Sequence, residues 1–210
     1  MPFSWCERRP DPFPCRVGLM ADSHGDSGAI ARAAFFLKAR GCSLMVHLGD
    51  IGDSGDPPTA AACVAEVSRA GILAVRGNND HALMADDSRL DPETRAWFAR
   101  LPLRIETPSA VFVHNRPNIR RLGVAALFGD LTDAEVLGFL RSHPGRLLFR
   151  GHSHRPLMQR AGAGGLERVA LAGPPGVTVS GGAVITCGSL DRGTVLVWDA
   201  MAQRVERLAF

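Results

Sequence analysis

What most constrains this chain is a punctuation that repeats. Five short apolar runs each end in a cluster of Asp, Asn, His and Gly. Residues 16–21 are followed by Asp22-Ser23-His24, residues 43–48 by Gly49-Asp50, and residues 72–75 by Arg76-Gly77-Asn78-Asn79-Asp80. Residues 110–113 run into His114-Asn115, and residues 147–149 into Arg150-Gly151-His152-Ser153-His154. Short apolar runs with such boundaries read as buried strands. Helical spacing separates the first three. One helix covers 28–40 and stops at Gly41; another covers 57–70, opened by proline and closed by Gly71. Strand, helix, strand, helix, strand calls for parallel pairing through right-handed crossovers. Sheets of that kind bind ligands beyond the carboxyl ends of their strands, which is where each polar cluster falls.

The rest of the chain extends this pattern. Asp91 caps a helix running to about Arg100. Residues 103–106 and 110–113 read as a hairpin across Thr-Pro-Ser, and 122–128 as a further strand. Thr132 caps a helix to about Ser142. From Pro156 the period is two, broken by Gly-rich turns, with strands expected at 177–179, 183–186, 194–198 and 205–208. An α/β first half and a strand-rich second half predict two packed sheets with helices outside, in one domain over residues 16–210. Residues 1–15 hold Pro2, Pro10, Pro12 and Pro14 and form an arm. Phe3, Trp5 and Phe13 offer it apolar contacts, but a loosely ordered terminus is the default expectation.

Composition excludes several classes. With 210 residues, 46% hydrophobic and 21% charged, the chain can bury a core without disulfides and is not disordered. A formal charge of +3 is too small to argue for a stable nucleic-acid partner or a membrane surface. No run of 18 apolar residues spans a bilayer, and the N-terminus lacks the apolar stretch of a secretory signal. Five scattered cysteines, none in CxxC spacing, read as reduced thiols, so a cytoplasmic setting is expected. A homo-oligomer is compatible with these features.

The clustered residues suit a two-metal site. Asp22 and His24 are two apart, as are His152 and His154, so each pair can face one way from an extended turn. Asp50 follows a glycine, Asn78 offers an amide oxygen, and His114 adds a fourth imidazole. Nitrogen and oxygen donors without thiolate suit Mn, Fe, Zn, Ni or Co. Two divalent ions about 3.5–4 Å apart lower the pKa of a shared water and clamp a phosphoryl oxygen. With two carboxylates and one hydroxide they leave about one positive charge, which favours an anionic substrate. Taken singly, Asp22-Ser23-His24 reads as a capped turn and Gly49-Asp50 as an ordinary turn. Their joint occurrence after successive strands argues against those readings.

In this order, D-x-H, G-D, G-N-x-D, H-x and G-H-x-H resemble the motifs of the calcineurin-like metallophosphoesterases, over about residues 16–200. The length resembles the small phosphodiesterases of that superfamily. The resemblance implies a four-layer α/β/β/α sandwich of two mixed sheets flanked by helices. It implies that Asp22, His24 and His154 hold one metal, that Asn78, His114 and His152 hold the other, and that Asp50 bridges. It further implies hydrolysis of a small-molecule phosphate ester or nucleotide, with a metal-bridging hydroxide attacking phosphorus in line. Manganese is among the expected metals. Gly188-Ser189 is similar to a late turn near the family's site.

Departures from the pattern matter. Many members carry a histidine where this chain has Asn79, and that histidine protonates the leaving group; an amide cannot. Monoesters with poor leaving groups then suffer most, so a phosphodiesterase is favoured over a phosphomonoesterase or a nucleotide or dinucleoside polyphosphate hydrolase. A non-catalytic scaffold on the same fold is disfavoured by the complete ligand set. His81 is a candidate substitute acid beside Asp50 and Asn79 in the catalytic group. Asn115 replaces a usual glycine, and Arg150 replaces a small residue before Gly-His, pointing either to the cleft or to solvent. Arg76, Arg116, Arg155 and Arg192 lie near motif loops, with a solvated role as the default. His47, inside a strand, reads as a core or supporting group, and His143 as a helix-end residue. Asp80 is expected to orient the Asn78 loop. Residues 82–90 and 115–131 depart most from the family and are expected to set specificity.

Overall fold

The computed structural model describes residues 6–11, 16–86 and 88–210. Its strands form two sheets. In the larger, β1 (Cys6–Arg8) lies parallel to β5 (Arg104–Glu106). Next come β6 (Ala110–Val113), β7 (Leu147–Arg150) and β11 (Ala183–Thr186), then the hairpin of β8 (Leu157–Gly162) and β9 (Gly165–Val169). The smaller sheet runs β10 (Val177–Thr178), β13 (Arg204–Ala209), β12 (Thr194–Asp199), β2 (Arg16–Met20), β3 (Cys42–His47), β4 (Leu73–Ala74). Within these mixed sheets, β2, β3 and β4 are mutually parallel, and so are β6, β7 and β11.

Side-chain alternation sorts each strand between two faces. Leu19 of β2, Val46 of β3, Phe112 of β6, Phe149 of β7, Ile185 of β11 and Trp198 of β12 all enter one buried cluster between the sheets. Phe112 and Phe149 stack there at 5.6 Å, and Phe149 meets Trp198 at 5.1 Å. A fully buried ring of this kind contributes about 1.5–3 kcal/mol. The alternate residues face outward onto helices. Met20, Val195 and Val197 pack with α1 (Ser27–Ala39), α2 (Ala60–Arg69) and α4 (Pro92–Arg100). Val111, Val113, Leu148 and Val184 pack with α6 (Asp133–Ser142) and with Ile119 of the short α5 (Ile119–Leu122). The architecture is the four-layer α/β/β/α sandwich.

Local chemistry sets the helix starts. The Asp26 carboxylate accepts from Ala29 N at 2.7 Å, and Asp91 from Thr94 N at 2.9 Å. Thr132 and Glu135 form a reciprocal capping box at α6. His143 ends α6, with Nδ1 beside Phe139 O.

Three elements differ from the sequence reading. The run 122–128 is not a strand: it completes α5 and continues as a 3₁₀ turn over Gly123–Leu127. So short an apolar run carries no decisive period, and Ala126 and Leu127 bury against the outer face of the larger sheet. The segment after Gly77 is a helix, α3 (Asn78–Leu83), not a loop. Residues 6–8 of the arm are an edge strand, and Arg9 N donates to Glu106 O at 2.9 Å, so a loosely ordered terminus does not describe them. Phe3, Trp5 and Phe13 lie outside the described residues. Among the described residues no helix is long and apolar enough to cross a membrane.

Candidate metal centre

The carboxyl ends of the parallel strands of both sheets meet at one seam. Asp22 follows β2, Asp50 follows β3, His114 follows β6 and His152 follows β7. Main-chain bonds join the ends: Asp22 N to Gly49 O at 3.0 Å, Gly151 N to His114 O at 3.0 Å, and Leu190 N, just after Gly188-Ser189, to Ala21 O at 2.9 Å. The Asp22 carboxylate accepts from His152 N at 3.0 Å, linking the two sheets directly.

Two groups of donor atoms result. Asp22, His24 and His154 form one; Asp22, Asp50 and His114 form another, so Asp22 is common to both. His24 Nε2 and His154 Nε2 stand 3.1 Å apart, and His154 Nε2 lies 3.6 Å from Asp22 Oδ1. On the other side, His114 Nε2 lies 3.1 Å from His152 Nδ1 and 3.5 Å from Asp50 Oδ1. Asn78 Oδ1 lies 2.8 Å from the former nitrogen and 2.9 Å from the latter. Thus all seven expected ligands gather at the seam.

The donor chemistry fits cations. His114 Nδ1 faces Leu48 O at 2.9 Å, which assigns the ring proton to Nδ1 and leaves the Nε2 lone pair directed into the site. Burial lowers the pKa of His114, lowers that of His154, and takes His152 down to about 4, so these imidazoles are neutral donors at neutral pH. Burial, reinforced by Asp50, pushes the Asp22 carboxyl well above its ordinary value. Burial also pushes Asp50 upward, but His114 and the Asn79 side chain outweigh it and hold Asp50 low. Two buried carboxylates ringed by neutral nitrogens are an incomplete charge balance that divalent cations would complete.

Backbone strain marks the same residues. Among the described residues, the non-glycine positions with φ in the left-handed region are Asp22, His24, Asp50, His152, His154 and Gln203. All but the last are candidate ligands. Each costs roughly 1–2 kcal/mol relative to a relaxed backbone, and such strain persists only where surrounding bonds impose it.

Those bonds are visible. The buried Asp80 carboxylate accepts from the main-chain N–H groups of Asp50, Ile51, Gly52 and Gly77 at 2.7–3.0 Å. Its pKa is pushed up to about 7, by burial first and by Asp50 second, against the pull of those donors. Ser23 Oγ lies 3.0 Å from His47 Nε2 and donates to Ile51 O, so His47 supports the Asp22 turn. Asp191 Oδ2 lies 3.6 Å from His154 Nδ1, the far side of a candidate ligand. Asp191 was not singled out by the sequence, where an Asp five residues past a strand resembles any turn residue.

Asn79 is turned toward Asp50 and Ser54. Its Nδ2 donates to Asp50 Oδ2 at 2.8 Å, its main-chain N donates to Asp50 Oδ1 at 2.8 Å, and its Oδ1 accepts from Ser54 Oγ at 2.6 Å. It holds Asp50. His81 lies on α3, half-buried, with its ring 6.2 Å from that of Phe128.

The arginines also resolve. Arg150 is buried and reaches neither cleft nor solvent: it donates to Asn115 O at 3.2 Å, Asn115 Oδ1 at 2.7 Å and Thr186 Oγ1 at 3.2 Å. The two departures from the family pattern therefore bind one another. Arg76 is not solvated: it is buried and donates to Ala99 O and Leu101 O. Arg116 donates to Asp130 O at 2.8 Å, while Arg155 and Arg192 are exposed. A cavity of about 1080 Å³ lies among Arg8, Arg104, Arg121 and Arg146 and is lined by none of the candidate ligands.

Residues 15–200 match the model of the calcineurin-like phosphoesterase superfamily domain. The chain belongs to the calcineurin-like phosphoesterase superfamily. Solved structures agree on the fold. A metallophosphoesterase from Sphaerobacter thermophilus superposes with a TM-score of 0.72 at 22% identity, over 93% of this chain and 89% of that one. A protein serine/threonine phosphatase from Saccharomyces cerevisiae gives 0.53 at 11% identity, over 99% and 83%. A dimetal phosphatase from Danio rerio gives 0.50 at 13%, over 94% and 98%. No curated protein matches the sequence. Superfamily members generally bind two divalent metals, and this calcineurin-like chain presents a donor set of the right kind for them.

Proposed function

We propose that this chain is a binuclear-metal phosphodiesterase. Asp22, His24 and His154 would hold one ion, and Asn78, His114 and His152 the other, with Asp50 between them. The observation that supports this best is the convergence of neutral imidazoles, an amide oxygen and two buried carboxylates at strained backbone positions. Divalent ions bound there supply a water of lowered pKa as nucleophile and hold the phosphoryl oxygens in line.

The chain's own residues set the leaving-group preference. With its amide bound to Asp50 and Ser54, Asn79 holds no proton to give. Burial, then the Arg76 charge, lower the pKa of His81, so its imidazole is mostly neutral at neutral pH and is a weak source of acid. The departing oxygen is then protonated by solvent or by His81, which favours esters whose leaving group departs readily. Near one positive charge at the site also matches a diester monoanion better than a monoester dianion.

The test compares an aryl phosphodiester with the matching aryl phosphomonoester in the presence of manganese. The proposal expects the higher kcat/KM on the diester, and loss of both metal and turnover in Asp50→Asn. A metal-replete protein that hydrolyses neither, or that prefers the monoester, overturns it.

A further inference from the structure

We propose that Phe128 and His81 form an aromatic lip beside the metal centre that receives the organic group of the ester, so that the preferred substrates carry a flat aryl or nucleobase-like substituent. This rests on the phosphoesterase reading above and adds a substrate class to it.

Among the described residues the exposed large hydrophobic side chains are Phe35, Phe128 and Met201. One exposed apolar side chain needs no explanation in itself. Phe35 lies on α1, and Met201 in the turn between β12 and β13. Phe128 differs because its main chain is held on both sides from the metal seam. Asn115 Nδ2 donates to Leu127 O and to Gly129 O, the carbonyls that flank it. Arg116 adds main-chain N to Ala126 O at 3.1 Å and Nη2 to Asp130 O at 2.8 Å. Gly129, at φ +72, makes the sharp turn that follows. Asn115 is itself fixed by Arg150 and adjoins His114. The Asn115–Arg150 pair, unusual beside the family's pattern, thus ties the 127–129 segment to the residue next to a candidate ligand.

The second wall comes from α3. His81 lies one turn past Asn78, on the same helix face. Its ring meets Phe128 edge-on, with centroids 6.2 Å apart at 74°. Its Nδ1 is buried with no hydrogen-bond partner among the described residues. Phe128 is 44% exposed beside the edge-on His81 ring and so leaves a free aromatic face that suits a planar group by stacking and edge contacts. An alkyl group of the same charge gains little there. An aromatic contact of this type corresponds to about a 3- to 10-fold gain in affinity.

The test uses phenylphosphonate and methylphosphonate, which share a phosphorus head group and resist hydrolysis, titrated by calorimetry into manganese-loaded protein. Phenylphosphonate is expected to bind about 3- to 10-fold more tightly. Phe128→Ala should bring the ratio near one, Phe128→Tyr should retain it, and Phe35→Ala should leave it as in the wild type. Equal binding of both compounds by the wild type, or a preference that survives Phe128→Ala, overturns the lip alone. Binding of neither, with no ester hydrolysed, removes the phosphoesterase reading and this inference with it.

Discussion

Glycine 77 offers the sharpest test of how the backbone builds the centre. A methyl group there would lie 2.1 Å from Asp50 Oδ1 and 2.2 Å from Asp50 N. Ordinary contacts of carbon lie near 3.5 Å, so Asp50 would have to retreat by more than about 1 Å. The φ of Gly77 is −97°, which alanine adopts freely, so backbone strain contributes nothing. Overpacking of this kind costs about 1–3 kcal/mol. In a chain of this length each kcal/mol lowers Tm by about 2–4 °C, giving a fall of roughly 2–12 °C. Metal ligands tolerate errors of only about 0.2 Å, so affinity for the ion at Asp50 should fall at least 10- to 100-fold, on the order seen when supporting groups are lost. Gly77→Ala is therefore to be compared with Gly138→Ala, in α6, where a methyl meets nothing within 4 Å. The latter should gain about 0.5–1 kcal/mol. Differential scanning calorimetry and metal analysis after dialysis read both effects. A Gly77→Ala protein with wild-type Tm and metal content would contradict this role for Gly77.

Three further outcomes are expected. Asn79→Ala removes an Asp50 clamp and should weaken metal binding by about tenfold, read by calorimetric titration; unchanged binding would deny Asn79 a positioning role. Burial takes His47 down to about 3 from its ordinary 6.5. The unfolded chain takes up a proton that the fold refuses, so this stability is complete above pH 6.5. It is lost as pH falls toward 3, by roughly 1.4 kcal/mol per unit. Urea midpoints across that range should fall less steeply in His47→Gln, and parallel profiles would contradict this. Finally, chelation should lower Tm, since Asp22 and Asp50 are then left buried without cations, and manganese should restore it; a Tm indifferent to chelator would speak against resident metal.

Much of this arrangement is readable in the residues themselves. Asp22, Asp50, His114 and His152 each follow an apolar run, and parallel strands bring such ends together whatever the intervening sequence. What was hidden depends on contacts between distant segments. Nothing local says that Arg150 turns inward to Asn115, because an arginine before Gly-His reads as facing the cleft or solvent until a buried carbonyl and amide oxygen are placed against it. The same holds for Asn79, whose amide reads as a catalytic substitution until Asp50 and Ser54 close around it. Residues 122–128 misled because an apolar run of that length satisfies strand and helix alike, and packing under the larger sheet decided it. Residues 6–8 lacked any apolar signal, and their pairing with β5 comes from main-chain bonds that any sequence can make.

Two cations are proposed to sit at the seam between the sheets. Anomalous diffraction from crystals of the protein grown with manganese tests this most directly. Two peaks about 3.5–4 Å apart are expected, one bounded by Asp22, His24 and His154, the other by Asn78, His114 and His152, with Asp50 between them. Absence of both peaks, or peaks bounded by other residues, would contradict it.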